Sequence, residues 1–506
     1  MSATSTRSVQ SYLDERPAWP DATPAPGSPV TPMQWRIFFL ASAGKFFEGM
    51  VVFMGGIALP LIAEEFAITK LQHGLVTAAS LFGILVGASL LGGLADRHGR
   101  KRLFVLEMVL FTVFLVLVCV SPGFWWLLAC LFGIGLALGC DYPTAHLVIS
   151  ETTASEARGR MVLGAFAFQA VGAMFGTGVS YLVLANVPDI GAWRYMYAVA
   201  VVPAVLVILA RLTIPESPHF LMVRGRMEEA REATRRLLQR EPMYPSTIEL
   251  APLRDDVAAA ADKGYGALFN RRNRRATILA SVPWFLQDLG TYGIGIFTPV
   301  ILANAVGSAQ QHASSVATLV ERDMLAAKGA ALIDVLLLVG ILAAIVLADR
   351  VGRIRLQVIG FVGCAAGLAI AAAAATVEGP AQTVMIFAGF MLFNFMTNMG
   401  PNAQTYLIAG EVFPTEIRAK GAGFAASFAK IGAVATAFLF PVLLVDIGTE
   451  WLLGGLVATS LVGAVVTAVW RIETSGLSLE AIGAETEAGA ADLRPDRVGP
   501  SVAAAE

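Results

Sequence analysis

The stretch GGLADRHGRKR (92–102) returns in the second half of the chain as LADRVGRIR (347–355), with Asp96 and Asp349 separated by 253 residues. A second pair keeps nearly the same interval. SETTASEARGR (150–160) and GEVFPTEIRAK (410–420) set Glu151 and Glu411, and likewise Arg158 and Arg418, 260 residues apart. Each of these basic segments follows an apolar run near 20 residues, long enough to cross about 30 Å of hydrocarbon as a helix. Working outward gives twelve expected spans, at about 36–62, 72–95, 103–120, 124–149, 161–185, 195–214, 276–303, 329–348, 356–376, 383–408, 419–445 and 450–470. The expected fold class is an all-α membrane protein in which one six-helix unit is used twice, as two pseudo-symmetric bundles. The expected domains are a disordered tail (1–33), a first bundle (34–214), a central loop (215–275), a second bundle (276–472) and a second disordered tail (473–506).

Composition agrees with that reading. Of 506 residues 56% are hydrophobic and 15% charged, against about 25% charged in soluble domains. The formal net charge of −2 argues against a nucleic-acid partner. Cys119, Cys130, Cys140 and Cys364 fall inside spans with no C-x-x-C spacing, so no disulfide framework, metal or cofactor is expected. Thirty of the 36 lysines and arginines fall on one side of the expected membrane, while Lys70, Arg194, Arg322 and Lys328 fall on the other. Positive charge stays on the cytoplasmic side, which predicts both termini there. The central loop holds no metal cluster, nucleophile motif or glycine-rich phosphate loop, so an enzyme is not expected; its MEEAREATRRLLQRE (227–241) reads as an amphipathic helix.

The repeated turns invite a gating role. Gly99 and Gly352 permit tight turns, and Asp96, Arg97, Arg100, Glu151, Arg158, Asp349, Arg350, Arg353, Glu411 and Arg418 can lock neighbouring helix ends through charge-assisted bonds. The alternative is that the basic residues only set orientation. G-x-x-A-D-R-x-G-R-K (92–101) resembles the loop 2-3 motif of the major facilitator superfamily, and Pro215-Glu216-Ser217-Pro218 resembles the P-E-S-P that follows span six in its sugar-porter-related branches. The likeness covers about residues 34–472 and implies alternating access, with a site at the midplane between two rocking bundles.

Ionisable side chains in mid-span are costly and usually face the bundle interior. Lys45, Glu48, Asp141, Asp288, Asp334 and Lys430 are such positions. Asp141 sits in GCDYPTAH, where Pro143 removes a backbone donor and loosens the helix. It can carry a proton, or form a structural ion pair with Lys45 or Lys430. Trp284, Asp288 and Tyr292 recur at i, i+4 and i+8 on one helix face and make a plausible pocket wall, though Trp284 alone would read as packing. Lys430 can neutralise an anionic substrate or an aspartate. Gln169 and Asn402 can bond a substrate or another helix, and His146 can tune a proton site or pack as a neutral ring.

Together these positions resemble the phosphate:proton symporter branch, which has D-Y-P in span four, W-x-x-x-D-x-x-x-Y-G in span seven, G-P-N in span ten and a lysine in span eleven. Asp141-Tyr142-Pro143, Trp284, Asp288, Tyr292, Gly293, Gly400-Pro401-Asn402 and Lys430 match. The resemblance implies a substrate pocket of Tyr142, Gln169, Trp284, Asp288, Tyr292, Asn402 and Lys430. It puts Asp141 and a span-one acid, here Glu48, on the proton route, and Asp288 is expected to join them in proton coupling. The chain departs from the branch in offering one span-one acid, Glu48, in carrying Lys45 beside it, and in having Gly295 where the branch has asparagine. The expected function is therefore proton-coupled uptake of a small polar, anionic metabolite, with phosphate or a small organic acid among the candidates. A sugar or polyol transporter and a proton-driven exporter are the alternatives. Expected partners are the small-molecule substrate, protons and the lipid bilayer of the bacterial inner membrane, with a monomer as the working unit.

Overall fold

In hydrocarbon every backbone amide must find its partner within its own segment, so the apolar runs fold as helices. The computed structural model describes residues 7–16, 27–91, 98–239, 248–251, 265–307, 316–414 and 417–474. Its long helices are α1 (Pro32–Phe66), α2 (Lys70–Val86, continued by the π-turn Gly87–Leu91), α3 (Arg100–Cys119), α4 (Phe124–Thr152), α5 (Ser155–Asn186) and α6 (Ala192–Val199 with Val201–Arg211). The second set is α7 (Arg274–Gly307), α8 (Val316–Val351), α9 (Arg353–Ala373), α10 (Pro380–Met399 with Pro401–Glu411), α11 (Arg418–Asp446) and α12 (Gly448–Val469). Among the described residues eleven helices are long and apolar enough to cross a membrane. The remaining one, α7, has 34 residues but carries Gln287, Asp288, Thr291, Tyr292 and Thr298 buried along its middle.

Local sequence explains the helix ends. Thr31 with Gln34, and Thr69 with Gln72, form capping boxes at the starts of α1 and α2. Gly99 and Gly352 precede α3 and α9 at φ 103° and 94°, a region closed to most side chains. Small residues let helices touch backbone to backbone. A Cβ on Gly49, Gly172 or Gly176 would strike backbone across the α1/α5 contact, and one on Gly83, Gly87, Gly135 or Gly139 would do so across α2/α4. Helices α1–α6 and α7–α12 form the two bundles, which meet where α5 packs on α8 and α2 on α11. The described ends of the repeated basic turns, Arg100 beside Glu151 and Arg353 beside Glu411, lie at one end of the molecule, the terminal face.

Helix α8 begins at Val316, well before the expected 329, with Asp323 buried in the added turns, and both tails differ from expectation. The segment expected to be a disordered tail contains a folded piece, the helix Val9–Leu13, which buries Val9, Tyr12 and Leu13. Arg7 N donates to Glu249 O at 3.0 Å, and Asp14 accepts from Ser155 N and Oγ at 2.6 and 2.9 Å, covering the start of α5. The apolar trio recurs at i, i+3 and i+4, a pattern masked in the sequence by the prolines that follow. At the other end Glu473 and Thr474, assigned to a tail, bond to the second bundle. The central-loop helix forms over Met227–Leu238, with Ala230, Ala233, Leu237 and Leu238 buried.

Candidate functional site

A ring of charged and polar side chains joins the two bundles at mid-depth. From the first bundle α1 supplies Lys45 and Glu48, and α5 supplies Gln169; from the second, α7 supplies Asp288 and Tyr292, and α11 supplies Lys430. All six are less than a tenth exposed. The Tyr292 hydroxyl is the hub. It donates to Glu48 Oε1 at 2.8 Å and accepts from Lys430 Nζ at 2.6 Å and Gln169 Nε2 at 3.4 Å. Lys430 also bonds Asp288 Oδ2 at 3.2 Å, and Lys45 bonds Glu48 Oε2 at 3.0 Å. Lys430 stands 3.8 Å from Glu48, so each of its two acids comes from a different bundle.

Layers close the ring on both sides. Toward the terminal face Trp284 meets Tyr406 edge-on at 5.9 Å, Tyr406 stacks on Phe166 at 4.8 Å, and His146 lies 5.8 Å from the same ring. Trp284 thus belongs to an aromatic layer and not to the charged ring. Toward the other end Phe297 stacks on Phe440 at 4.7 Å, Thr77 Oγ1 donates to Ala437 O at 2.6 Å, and Gly56 faces the backbone of Ile296. Beyond this layer opens a cavity of about 560 Å³ lined by residues that include Pro60, His73, Arg322, Asp323, Pro441 and Thr449.

Asp141 lies apart from the ring, inside the first bundle. Its partner is neither Lys45 nor Lys430 but Arg211, whose Nη2 donates to Asp141 Oδ1 at 2.9 Å and to Leu40 O at 3.0 Å. Arg211 Nη1 donates to Glu107 Oε1 at 2.8 Å and Phe104 O at 2.5 Å, and the guanidinium covers the Phe104 ring at 3.4 Å. The sequence places Arg211 among the positive charges of the central loop, yet it is fully buried. Asp141 also lies against Gly44 of α1, where a Cβ would overlap its carboxylate. That glycine sits one residue before Lys45 and connects the triad to the ring.

At the terminal face the two halves repeat one arrangement. Arg100 pairs with Glu151 at 3.2 Å, and Arg353 pairs with Glu411 at 3.2 Å. Glu216 accepts from Lys101 N at 3.0 Å at the start of α3, as Glu473 accepts from Arg353 N at 2.9 Å and Ile354 N at 3.2 Å at the start of α9. Ser217 donates to Glu151, and Thr474 donates to Glu411 at 2.6 Å. His219, on the short helix Pro218–Val223, is half-buried near Glu151, and partial desolvation holds its imidazole below the usual range for proton uptake.

The structure thus gathers Glu48, Gln169, Asp288, Tyr292 and Lys430, and sets Asp141 and Trp284 in adjoining layers. Asn402 donates to Asn398 within α10 and stays with the second bundle. Arg158 bonds Gln10 of the N-terminal segment, and Arg350 is exposed. Asp96 and Arg97 lie outside the described residues, as do the side chains of Tyr142, Asp349 and Arg418. Sequence reasoning missed Glu107, Arg211, Tyr406 and Glu473. Glu107 and Arg211 were legible as charges within hydrophobic runs; Tyr406 gave no signal beyond aromaticity.

Comparison with known proteins agrees with this architecture. Residues 27–485 match the family described as Sugar (and other) transporter. The inner membrane metabolite transport protein YgcS of Escherichia coli is 30% identical over 458 residues, covering 90% of this chain and 95% of that one. The niacin transporter NiaP of Acinetobacter baylyi is 27% identical over 459 residues, covering 90% and 98%. The partially occluded inward-open xylose transporter XylE of E. coli superposes with a TM-score of 0.71 at 20% identity, covering 88% of this chain and all of that one. The chain therefore belongs to the Sugar (and other) transporter family, and is a multi-pass secondary active transporter of the major facilitator fold, not an enzyme.

Proposed function

We propose that the protein is a proton-coupled symporter that takes up a small polar, anionic metabolite by alternating access, with phosphate and small organic acids as candidate cargo. The carrying observation is the ring of Lys45, Glu48, Asp288, Tyr292 and Lys430, which spans both bundles and balances two cations against two carboxylates. Buried net charge is costly. An anion arriving alone would leave the ring at −1, whereas an anion arriving with one proton restores neutrality. A proton on Glu48 or Asp288 also frees a lysine to pair with the cargo. Anion and proton are thereby tied to one step without any contact between them.

The same bookkeeping supports a proton route through Asp141 and its neighbour Glu107, since with Arg211 they carry one uncompensated negative charge that a proton on either carboxylate removes. The aromatic layer of Trp284, Tyr406 and Phe166 serves as the gate toward the terminal face, and the Arg100–Glu151 and Arg353–Glu411 pairs brace the helix ends around it. By the distribution of positive charge that face is cytoplasmic, which makes the 560 Å³ cavity the outer vestibule of an inner-membrane protein working as a single chain. The niacin relative supports anionic cargo, niacin being a carboxylate at neutral pH.

Uptake of labelled phosphate, small carboxylates, sugars and polyols into proteoliposomes under an imposed pH gradient tests this. Accumulation of an anion that collapses when the gradient is dissipated is the expected result. Accumulation of only neutral sugars or polyols would overturn the anionic assignment, and transport indifferent to the gradient would overturn coupling.

A further inference from the structure

Among the described residues two buried acids stand outside the ring and the triad, Asp323 on the wall of the cavity and Asp334 between the bundles. Asp334 lies at the middle of α8, 3% exposed, in the seam where α8 packs against α5. Its orientation is fixed from behind by α10. Asn394 and Asn398 donate to Ile333 O and Leu337 O at 3.5 and 2.8 Å, and Asn402 supports Asn398 at 2.6 Å. These bonds hold one face of α8 against its own bundle and leave Asp334 to meet Thr177 of α5, in the other bundle.

Unlike Asp141, Asp288 and Glu48, each held by a cation, Asp334 enters no ion pair among the described residues, and its Oδ2 has no hydrogen-bond partner. The ionisable groups on the facing stretches of α1 and α7, namely Lys45, Glu48, Asp288 and Tyr292, are committed to one another. On α5 the ionisable neighbour is Tyr181, one turn from Thr177; on α10, Tyr406 and Glu411 lie toward the terminal face. An ionised carboxylate without a cation is costly in such a seam, while a neutral acid needs only a hydrogen-bond acceptor.

Thr177 offers that acceptor and also its opposite. Its Oγ1 lies 3.1 and 3.0 Å from the carbonyls of Ala173 and Met174. When the hydroxyl donates to the backbone, a lone pair remains for a protonated Asp334. When Asp334 is ionised, the single hydroxyl hydrogen must turn to the carboxylate and give up the backbone bond. The pair is a hydroxyl rotor facing a carboxyl across a moving boundary.

We propose that Asp334 is a proton-binding site of the α5/α8 seam, loaded while the bundles are closed and released when α8 parts from α5. Thr177 acts as its positioning residue. The proposal rests on the proton-coupled reading above, yet the site is distinct from the central ring.

Proton uptake and substrate uptake measured together in proteoliposomes, for wild type, Asp334→Asn and Thr177→Val, test it. The expected result is a lower proton-to-substrate ratio in Asp334→Asn and a displaced pH profile in Thr177→Val. A wild-type ratio and profile in both variants overturns the proposal while leaving symport intact. Wild-type vesicles that take up substrate with no protons overturn the symport reading itself. Independently, wild-type protein treated with an apolar carbodiimide, which modifies protonated buried carboxyls, should be labelled at Asp334 in a manner that fades as pH rises. Absence of labelling at every pH overturns the proposal even if the variants fail to fold.

Discussion

Replacing Arg211 by methionine isolates the largest buried electrostatic commitment in the first bundle. The guanidinium makes four hydrogen bonds of 2.5–3.0 Å, two to the carboxylates of Glu107 and Asp141 and two to the carbonyls of Phe104 and Leu40, from a fully buried position. Methionine fills a similar volume but leaves two carboxylates facing each other in a dry site. Removing one partner of a buried pair costs about 3–5 kcal/mol. At about 1.4 kcal/mol per decade, that is roughly a thousandfold loss in the folded-to-unfolded ratio. The triple replacement Glu107→Gln, Asp141→Asn, Arg211→Met removes the charges together and should recover to within about 1–2 kcal/mol of wild type, because buried amides cost far less to desolvate than unpaired carboxylates. Thermal and denaturant unfolding in detergent reads both. A single variant that unfolds at the wild-type midpoint, or a triple variant no better than the single, would refute the triad as the organising contact. If the triple variant folds and still concentrates substrate under a pH gradient, Asp141 is not on the proton route.

Gly44→Ala drives a methyl into the space of the Asp141 carboxylate; overpacking of this kind costs about 1–3 kcal/mol, read as a lower unfolding midpoint that Asp141→Ala in the same background should relieve. Lys430→Gln leaves Asp288 and Glu48 short of a cation, and Asp288→Asn should rescue part of the loss, giving a coupling energy of about 0.5–3 kcal/mol in a double-mutant cycle on stability; additive losses would mean the 3.2 Å pair contributes nothing. Glu216→Gln and Glu473→Gln each weaken carboxylate bonds to backbone N–H groups at the starts of α3 and α9, for about 1 kcal/mol apiece. Closely similar losses are expected, since the two caps are equivalent in the repeat, and a loss confined to one would break that equivalence.

Much of the architecture is legible because the bilayer enforces it: an apolar run of about 20 residues has no alternative to a helix. The spans therefore come out within a few residues at most of their ends, the exception being α8, whose charged first turns extend it back to Val316 from an expected start near 329. Helix α7 is the instructive case, since Gln287, Asp288 and Tyr292 dilute its apolar character while its place in the repeat identifies it. The members of the ring are legible for the same reason, being charges where charge is costly. Pairing is not. Asp141 reads as a partner for a lysine of another span, and only the fold shows that α6 brings Arg211 to it. The N-terminal segment fails for a different reason: three apolar residues in a proline-rich stretch fold only against the terminal face that receives them.

The distribution of charge between the halves separates scaffold from function. At the terminal face the bundles are near copies, with Arg100–Glu151 and Glu216 in one answered by Arg353–Glu411 and Glu473 in the other. On the alternating-access reading a shared brace needs symmetry, because both bundles swing against the same membrane plane. In the interior the copies diverge. The first bundle holds an Arg211 triad, the second holds Asp334, which enters no ion pair among the described residues, and the ring between them draws Lys45 and Glu48 from one side and Asp288 and Lys430 from the other. Divergence is what directional chemistry requires. On the proton-coupled reading, if both bundles presented the same charges to the midplane, cargo and proton would meet equivalent surfaces in either orientation, and nothing would tie release of one to release of the other. On that same reading, a carboxylate locked by arginine in one bundle and one with no ion pair among the described residues in the other let the two halves respond differently to a single proton.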